Sequence, residues 1–234
     1  MKRTVLAVLL CSVAADRGLA ADLPQAGPPP TAVRYAPAVS YDWSGFYIGV
    51  NGGYGVGNSS WNSAAPFTTG NFTTDGLLAG GTIGINYQAG QFVFGFEGDA
   101  DWAGFKGTSN NAYCSLVTAG AVCQTAEHWL GTARARIGFA VNRLLIFGTA
   151  GGASGDIKAG LNPPGTYDAS NNFGWTAGGG VEGAITENWT AKIEYLHVDL
   201  GNATCPTNCG LAVPMTVPLT ENLVRAGINY KFGF

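Results

Sequence analysis

The chain has 234 residues, of which 46% are hydrophobic and 12% charged, with 36 glycines and a formal net charge of −3. That length suits one ordinary domain or one small membrane barrel with loops. Charge at about half the ~25% of a soluble domain argues against a surface clothed in water. Past the amino terminus no run of about 18 apolar residues occurs, which excludes a helical membrane span. No basic patch points to nucleic acid.

Taken in order, Lys2 and Arg3 form a basic opening, Thr4 to Ala15 an apolar core, and Leu19-Ala20-Ala21 or Gly18-Leu19-Ala20 a small-residue cleavage site. Residues 1–21 therefore read as a signal peptide. Cys11 follows Leu10, where a lipoprotein signal needs a small residue, so it belongs to the discarded segment. Removing Lys2, Arg3, Arg17 and Asp16 from the 12 bases and 15 acids leaves 9 against 14, a net charge near −5. Four cysteines remain, an even number suited to an oxidising compartment. Residues 22–42, with Pro24, Pro28, Pro29, Pro30 and Pro37, read as an extended lead.

From Trp43 onward eight segments alternate between apolar and polar or small residues, the period of a strand whose two faces differ. The first, Gly45–Gly57, sets Phe46, Ile48, Val50, Tyr54 and Val56 against Tyr47, Asn51 and glycines. The second, Asp75–Gln88, sets Ala79, Ile83, Ile85 and Tyr87 against Gly80, Thr82, Gly84 and Asn86. In the third, Phe92–Phe105, Phe92, Phe94 and Phe96 oppose Glu97, Asp99 and Asp101. The fourth, Glu127–Val141, opposes Trp129, Ala133, Ala135, Ile137, Phe139 and Val141 to Arg134 and Arg136. The fifth, Leu144–Gly155, is too rich in glycine to show its phase. The sixth, Phe173–Thr186, sets Trp175, Ala177, Val181 and Ile185 against Gly178, Gly180 and Glu182. The seventh, Trp189–Leu200, sets Trp189, Ala191, Ile193 and Tyr195 against Lys192 and Glu194. The eighth, Glu221–Phe234, places Val224, Ala226, Ile228, Tyr230, Phe232 and Phe234 opposite Arg225, Gly227, Asn229, Lys231 and Gly233.

Links at Ala89-Gly90-Gln91, Asn142-Arg143 and Glu187-Asn188 are short, and the other four are each longer than about ten residues. Short turns on one rim and long loops on the other make the plan of an antiparallel up-and-down transmembrane barrel. All eleven prolines fall outside the eight segments, as a hydrogen-bonded wall requires. A lipocalin also closes eight strands, but its outer face carries many Lys and Glu, whereas the non-apolar face here is mostly Gly, Asn and Thr with a few charges, too sparse for a water-facing skin. A β-sandwich would not alternate short and long links. The fold expected is an all-β, eight-stranded transmembrane barrel over residues 43–234 with four long extracellular loops.

The opening G-F-Y-I-G-V-N-G-G-Y-G-V-G, the A-D-L-P stretch and the terminal A-G-I-N-Y-K-F-G-F resemble the small opacity-type barrels, the outer-membrane immunogenic or "porin family" proteins of alphaproteobacteria. The resemblance covers nearly all of the chain after the signal peptide. It implies an outer-membrane location, contact with lipid and lipopolysaccharide, and loops turned toward host or environment. It also implies that Tyr230, Phe232 and Phe234 serve as the terminal signal read by the barrel assembly machinery.

On the inward face, acids Glu97, Asp99, Asp101, Glu182 and Glu194 are expected to meet bases Arg134, Arg136, Lys192, Arg225 and Lys231. Glu97 and Asp99 are expected level with Arg136 and Arg134. Eight strands leave a lumen just wide enough for side chains to fill, and a buried charge left unpaired costs several kcal/mol. This network reads as a plug, with a narrow charge-lined solute pore as the alternative. Cys114 with Cys123 and Cys205 with Cys209 each share one loop, at spacings that permit two local disulfides. Neither CxxC spacing nor a His cluster suggests a metal.

Gly178-x-Gly180-x-x-Gly183 matches a dinucleotide fingerprint in letters only, since it lies in a strand with no helix following. Its glycines are read as room for lumenal side chains. His128, His197, Asp199 and Ser109 lie near the loop rim without an adjacent His-Ser pair, so a lipid-modifying enzyme is the least favoured reading. No cofactor is expected. Trp43, Phe46, Tyr87, Phe92, Phe139, Trp189 and Phe232 near the turns, and Trp61, Phe105, Trp129, Trp175 and Tyr195 toward the loops, read as two interfacial girdles.

Overall fold

The computed structural model describes residues 41–63, 67–116, 118–163, 165–205 and 213–233. The expected signal peptide and almost all of the expected lead lie outside these residues. Among the described residues alternation becomes nine strands: β1 (Gly45–Ser59), β2 (Asn62–Ser63), β3 (Phe72–Ala89), β4 (Phe92–Ser109), β5 (Val122–Val141), β6 (Leu144–Asn162), β7 (Thr166–Ala184), β8 (Trp189–Cys205) and β9 (Met215–Phe232). Eight are long staves that pair antiparallel with their sequence neighbours, and β1 pairs with β9 to close the ring. β2 is a two-residue strand on the end of β9, with Asn62 opposite Thr216. A closed ring satisfies every ladder N–H and C=O within the wall, the condition for crossing lipid with strands.

Large apolar side chains cover the outside, among them Phe46, Ile48, Val50, Ile83, Phe94, Ile137, Ile146, Val181, Ile193 and Ile228. A continuous apolar belt of this kind is untenable in water and natural in a bilayer. Each of these residues except Ile146, whose segment showed no phase, faces the way that alternation assigned to it. The undecided strand resolves as well. In β6, Leu144 and Ile146 face out while Leu145 and Phe147 are buried.

The turn rim is tight. Gly90 takes φ 64°, and Asn142 takes φ 54°, a left-handed conformation that Asn tolerates better than other side chains. Before the first strand, Tyr41 stacks edge-on against Trp43 at 4.8 Å and its hydroxyl donates to the Glu187 carbonyl at 3.2 Å. The barrel body thus takes in Tyr41 and Asp42 as well. Burial pushes the Tyr41 phenol up to about 12.

Several expectations need correction. The staves run 15 to 20 residues, well past the ~9–11 that a bilayer requires. β7 begins at Thr166 rather than Phe173, and β9 at Met215 rather than Glu221. The link from Asn162 to Thr166 is consequently a hairpin of three residues, 163 to 165, and not a long loop. Beyond the lipid, strand pairing continues while the outward apolar signal stops, so alternation underestimates strand length. Pro218 falls inside β9, opposite Asn202 where the β8–β9 register shifts and a ladder bond is dispensable. Trp43, Trp61 and Phe105 do not join a girdle, because all three are buried inside the barrel. Phe105 shares the inward odd phase of Glu97, Asp99 and Asp101, which outweighs its aromatic character.

At the loop end, a short 3-10 helix (Ala112–Ser115) carries Cys114, which is bonded to Cys123 with Cα atoms 5.3 Å apart. Cys205 is also disulfide-bonded, while Cys209 lies outside the described residues.

Two measurements check this architecture. Ile137→Arg places a cation on the lipid face of β5, four residues from its turn end, and is expected to destabilise the barrel in urea unfolding from lipid vesicles, by about 2–4 kcal/mol at the depth of the bilayer midplane and less toward the interface. Ile137→Leu is expected to stay within about 0.5 kcal/mol of the parent. Non-reducing peptide mapping is expected to recover Cys114 and Cys123 in one cross-linked fragment.

Candidate functional site: the charged lumen

Inward side chains sort into three layers. At the turn end Tyr41, Trp43, Val93, Ala140, Leu145 and Phe147 form an apolar cluster. At the loop end a larger apolar cluster gathers Trp61, Leu78, Phe105, Leu130, Ile157, Leu196, Leu200 and Leu223, together with Cys114 and Cys123. Between them lies a belt of charge.

Two arginines organise this belt. Arg134 on β5 reaches Glu97 and Asp99 of β4, each at 2.5 Å, and Glu194 of β8 at 2.9 Å. Arg225 on β9 reaches Asp99 at 2.9 Å, Asp101 at 2.7 Å and Glu194 at 2.9 Å. Both side chains are 0% exposed. In the ring order β4 and β8 stand opposite one another, so each guanidinium ties together facing walls. Lys192 adds contacts to Glu97 at 2.8 Å and Glu194 at 3.2 Å. Arg136 pairs with Glu182, lies 3.7 Å from Glu97, and stacks over the Phe147 ring at 3.8 Å.

The strand register explains how such long groups fit. Glu97 and Arg134 are opposite one another, flanked across the wall by Gly84 and Gly151. Glu194 and Arg225 are likewise flanked by Gly180 and Gly53. A Cβ at Gly84 would lie 2.3 Å from the Tyr47 hydroxyl, and one at Gly53 would lie 2.6 Å from the Arg225 Cβ. Glycine beside each pair leaves the space that the charged chains cross.

Nine of the ten expected network residues come together; Lys231 does not. Its phase is inward, but it sits at the turn rim. There its ammonium donates to the Asp42 carbonyl and lies 4.3 Å from the Tyr41 ring centroid. Phase selects the face, whereas height along the stave selects the partner. The register is also offset from the expected one: Arg134 rather than Arg136 stands opposite Glu97, and Arg136 stands opposite Gly95.

Without Lys231, five carboxylates meet four cations. Neutral donors that sequence reasoning passed over supply the remainder. The Tyr47 hydroxyl donates to Glu97 at 2.8 Å, and Thr82 and Thr132 each donate to Asp99 at 2.8 Å. Thr190 and Asn229 donate to Glu182. Their one signal in the chain is that they share the inward phase with the charges.

The other residues singled out do not converge. His128 lies 3.6 Å from Asp156, and His197 lies 3.0 Å from the Asn222 amide oxygen and stacks on Trp175. Asp199 accepts from the Gly201 amide, and Ser109 is opposite Cys123 at the end of β4. Gly180 of the fingerprint-like run is opposite Glu194, and Gly178 is opposite Leu196, both inside the wall. Tyr230 stacks between Trp189 at 5.1 Å and Phe232 at 5.0 Å on the lipid side of the turn rim. Phe234 lies outside the described residues. On the outer face near the loop rim, a cavity of about 240 Å³ is lined by Lys106, His128, Lys158 and Tyr167. Asp75 opposite Lys106, and Asp156 at 3.7 Å from Lys158, offset those cations.

The family model for the outer membrane protein beta-barrel domain matches residues 30–232. The chain belongs to this family. It is 33% identical over 250 residues to the 31 kDa outer-membrane immunogenic protein of Brucella melitensis biotype 1, covering 96% of this chain and 99% of that one. It is 32% identical to the 22 kDa outer membrane protein of Rhizobium leguminosarum bv. viciae, over 81% and 78% of the two chains. Among solved structures it is similar to the outer membrane protein OprG from Pseudomonas aeruginosa, with TM-score 0.51, 15% identity, and 82% and 97% coverage. The protein is thus an outer-membrane β-barrel, and its turn rim faces the periplasm and its loop rim the exterior.

Removing one arginine takes a shared cation from the carboxylates it served and leaves five acids to three cations. Arg134→Ala leaves Glu97, Asp99 and Glu194 short of a cation, and is expected to cost on the order of 3–5 kcal/mol in urea unfolding from vesicles.

Proposed function

We propose that the protein is a structural surface component of the Gram-negative envelope. Its lumen is closed by the charge belt, and its loops are displayed outward as the antigenic part. The observation that carries this reading is that Arg134 and Arg225, each 0% exposed, cross the lumen and bind both facing walls. A path for solute would have to break several charge-assisted bonds at once, in a medium where each unpaired ion is expensive. The apolar clusters above and below the belt add two dry layers to the same axis. Immunogenic naming of the relatives supports an exposed role for the loops. Lipid and lipopolysaccharide contact the apolar outer face, host or environmental molecules meet the loops, and the aromatic end of β9 engages the assembly machinery.

Planar-bilayer recording of the purified barrel tests closure. No stable unitary conductance is expected. Reproducible steps that scale with salt would instead make the belt the lining of a narrow pore.

A further inference from the structure

Above the belt, Glu127 on β5 and Glu221 on β9 are brought level from opposite walls: Gly57 stands opposite Glu221, and two residues further along β1 the Ser59 hydroxyl meets that of Thr125, two residues before Glu127, at 3.2 Å. They are 1% and 0% exposed, and none of their four carboxyl oxygens meets a donor among the described residues. In the ring order β5 and β9 are diametrically opposed, so the pair spans the lumen.

The wall is shaped around this pair. Glu221, Gly57 and Thr74 form one cross-strand row. A Cβ at Gly57 would lie 2.9 Å from the Glu221 Cγ and 2.6 Å from the Thr74 hydroxyl. That hydroxyl is itself buried and has no partner among the described residues. From the other side, a Cβ at Gly155 would lie 2.4 Å from an oxygen of Glu127. A register shift between Glu127 and Leu130 brings Glu127 inward. Asp156 holds that bend by accepting from the His128 and Trp129 amides at 2.8 and 2.9 Å. Phe105 and Ile157 pair beside Glu127, and Val198 beside Glu221, so the surroundings are apolar.

Other charges near the pair are already engaged. Arg225, four residues further along β9, is committed to Asp99, Asp101 and Glu194. On β6, Asp156 is a third acid; its remaining oxygen faces His128 at 3.6 Å and Lys158 at 3.7 Å. β1, β3, β4 and β8 present Gly57, Thr74, Phe105 and Val198, none of them charged.

We propose that Glu127 and Glu221 form a proton-binding latch, one shared proton tying β5 to β9 across the loop end of the lumen. Two ionised carboxylates are both acceptors and cannot bond to each other, whereas an acid and a carboxylate can. Brought together without a cation, like charges in an apolar enclosure do not both ionise. The proton sits between the two carboxyls and leaves to bulk base when the pH is raised. The remaining dianion then pushes the facing walls apart, so raising the pH loosens the extracellular half of the barrel. The latch does not depend on whether the belt conducts.

Infrared spectroscopy of the barrel in vesicles, with urea unfolding run in parallel, tests this. At neutral pH the wild type is expected to show a protonated-carboxyl band that Glu127→Gln/Glu221→Gln lacks. Raising the pH should bleach that band and lower the wild-type urea midpoint, leaving the midpoint of the double variant in place. A difference spectrum without the band overturns the proposal, as does an equal pH response of the two midpoints. Calcium that raises the wild-type midpoint and not the variant's would make the site a cation site, and likewise overturns it. Should the double variant fail to insert, the wild type alone decides: absence of any protonated-carboxyl band at neutral pH rejects the latch.

Discussion

A strand wall sealed in lipid leaves its ionic groups one place to go, the lumen, and there they have one another and a few neutral donors. Every other feature of this barrel answers that constraint. Where a stave crosses lipid its outward face has to be apolar, so charge at that depth is confined to the inward phase. Confinement in turn demands pairing, because a lone buried ion is far costlier than any single contact is favourable. Arg134 and Arg225 meet the demand by sharing Asp99 and Glu194, so that two cations and two acids form one connected unit between β4 and β8. Planar guanidinium groups, with several donors in a fixed fork, suit this sharing better than the point charge of lysine.

Space is the second half of the same problem. An eight-strand ring has room for side chains and little else, yet four long cations and five carboxylates occupy its waist. The glycines beside Glu97, Arg134, Glu194 and Arg225 answer this, since each charged residue has a cross-strand neighbour without a side chain. Abundant glycine is therefore a packing device in the wall and not a sign of flexible linkers. Above and below, where charge gives way to Trp61, Phe105, Leu130, Trp43 and Leu145, the lumen is filled as an ordinary protein core is.

Much of this was legible in the chain. Phase was readable because side-chain direction in a strand is set locally: Ile137 out and Arg136 in follow from one residue's step. The barrel plan was readable from the spacing of the alternating segments, although the link between the fifth and sixth is a three-residue hairpin, and the location from the family resemblance. Strand ends were not, because alternation fades where the wall leaves lipid and pairing does not. The girdle assignment failed for Trp43, Trp61 and Phe105, since an aromatic near a strand end suits an interface and a plug equally well until its neighbours are known.

What the sequence determined by itself was the class of fold, the two faces of each stave and the set of groups available to the lumen, all consequences of a period of two. What the tertiary structure alone decided was height and partnership. It set Arg134 rather than Arg136 against Glu97, placed Lys231 at the rim beside Tyr41, and brought Glu127 and Glu221 together from opposite walls. Those relations depend on register and on the stagger of strands around a closed ring. Register is summed over all eight pairings, so no single stave carries it.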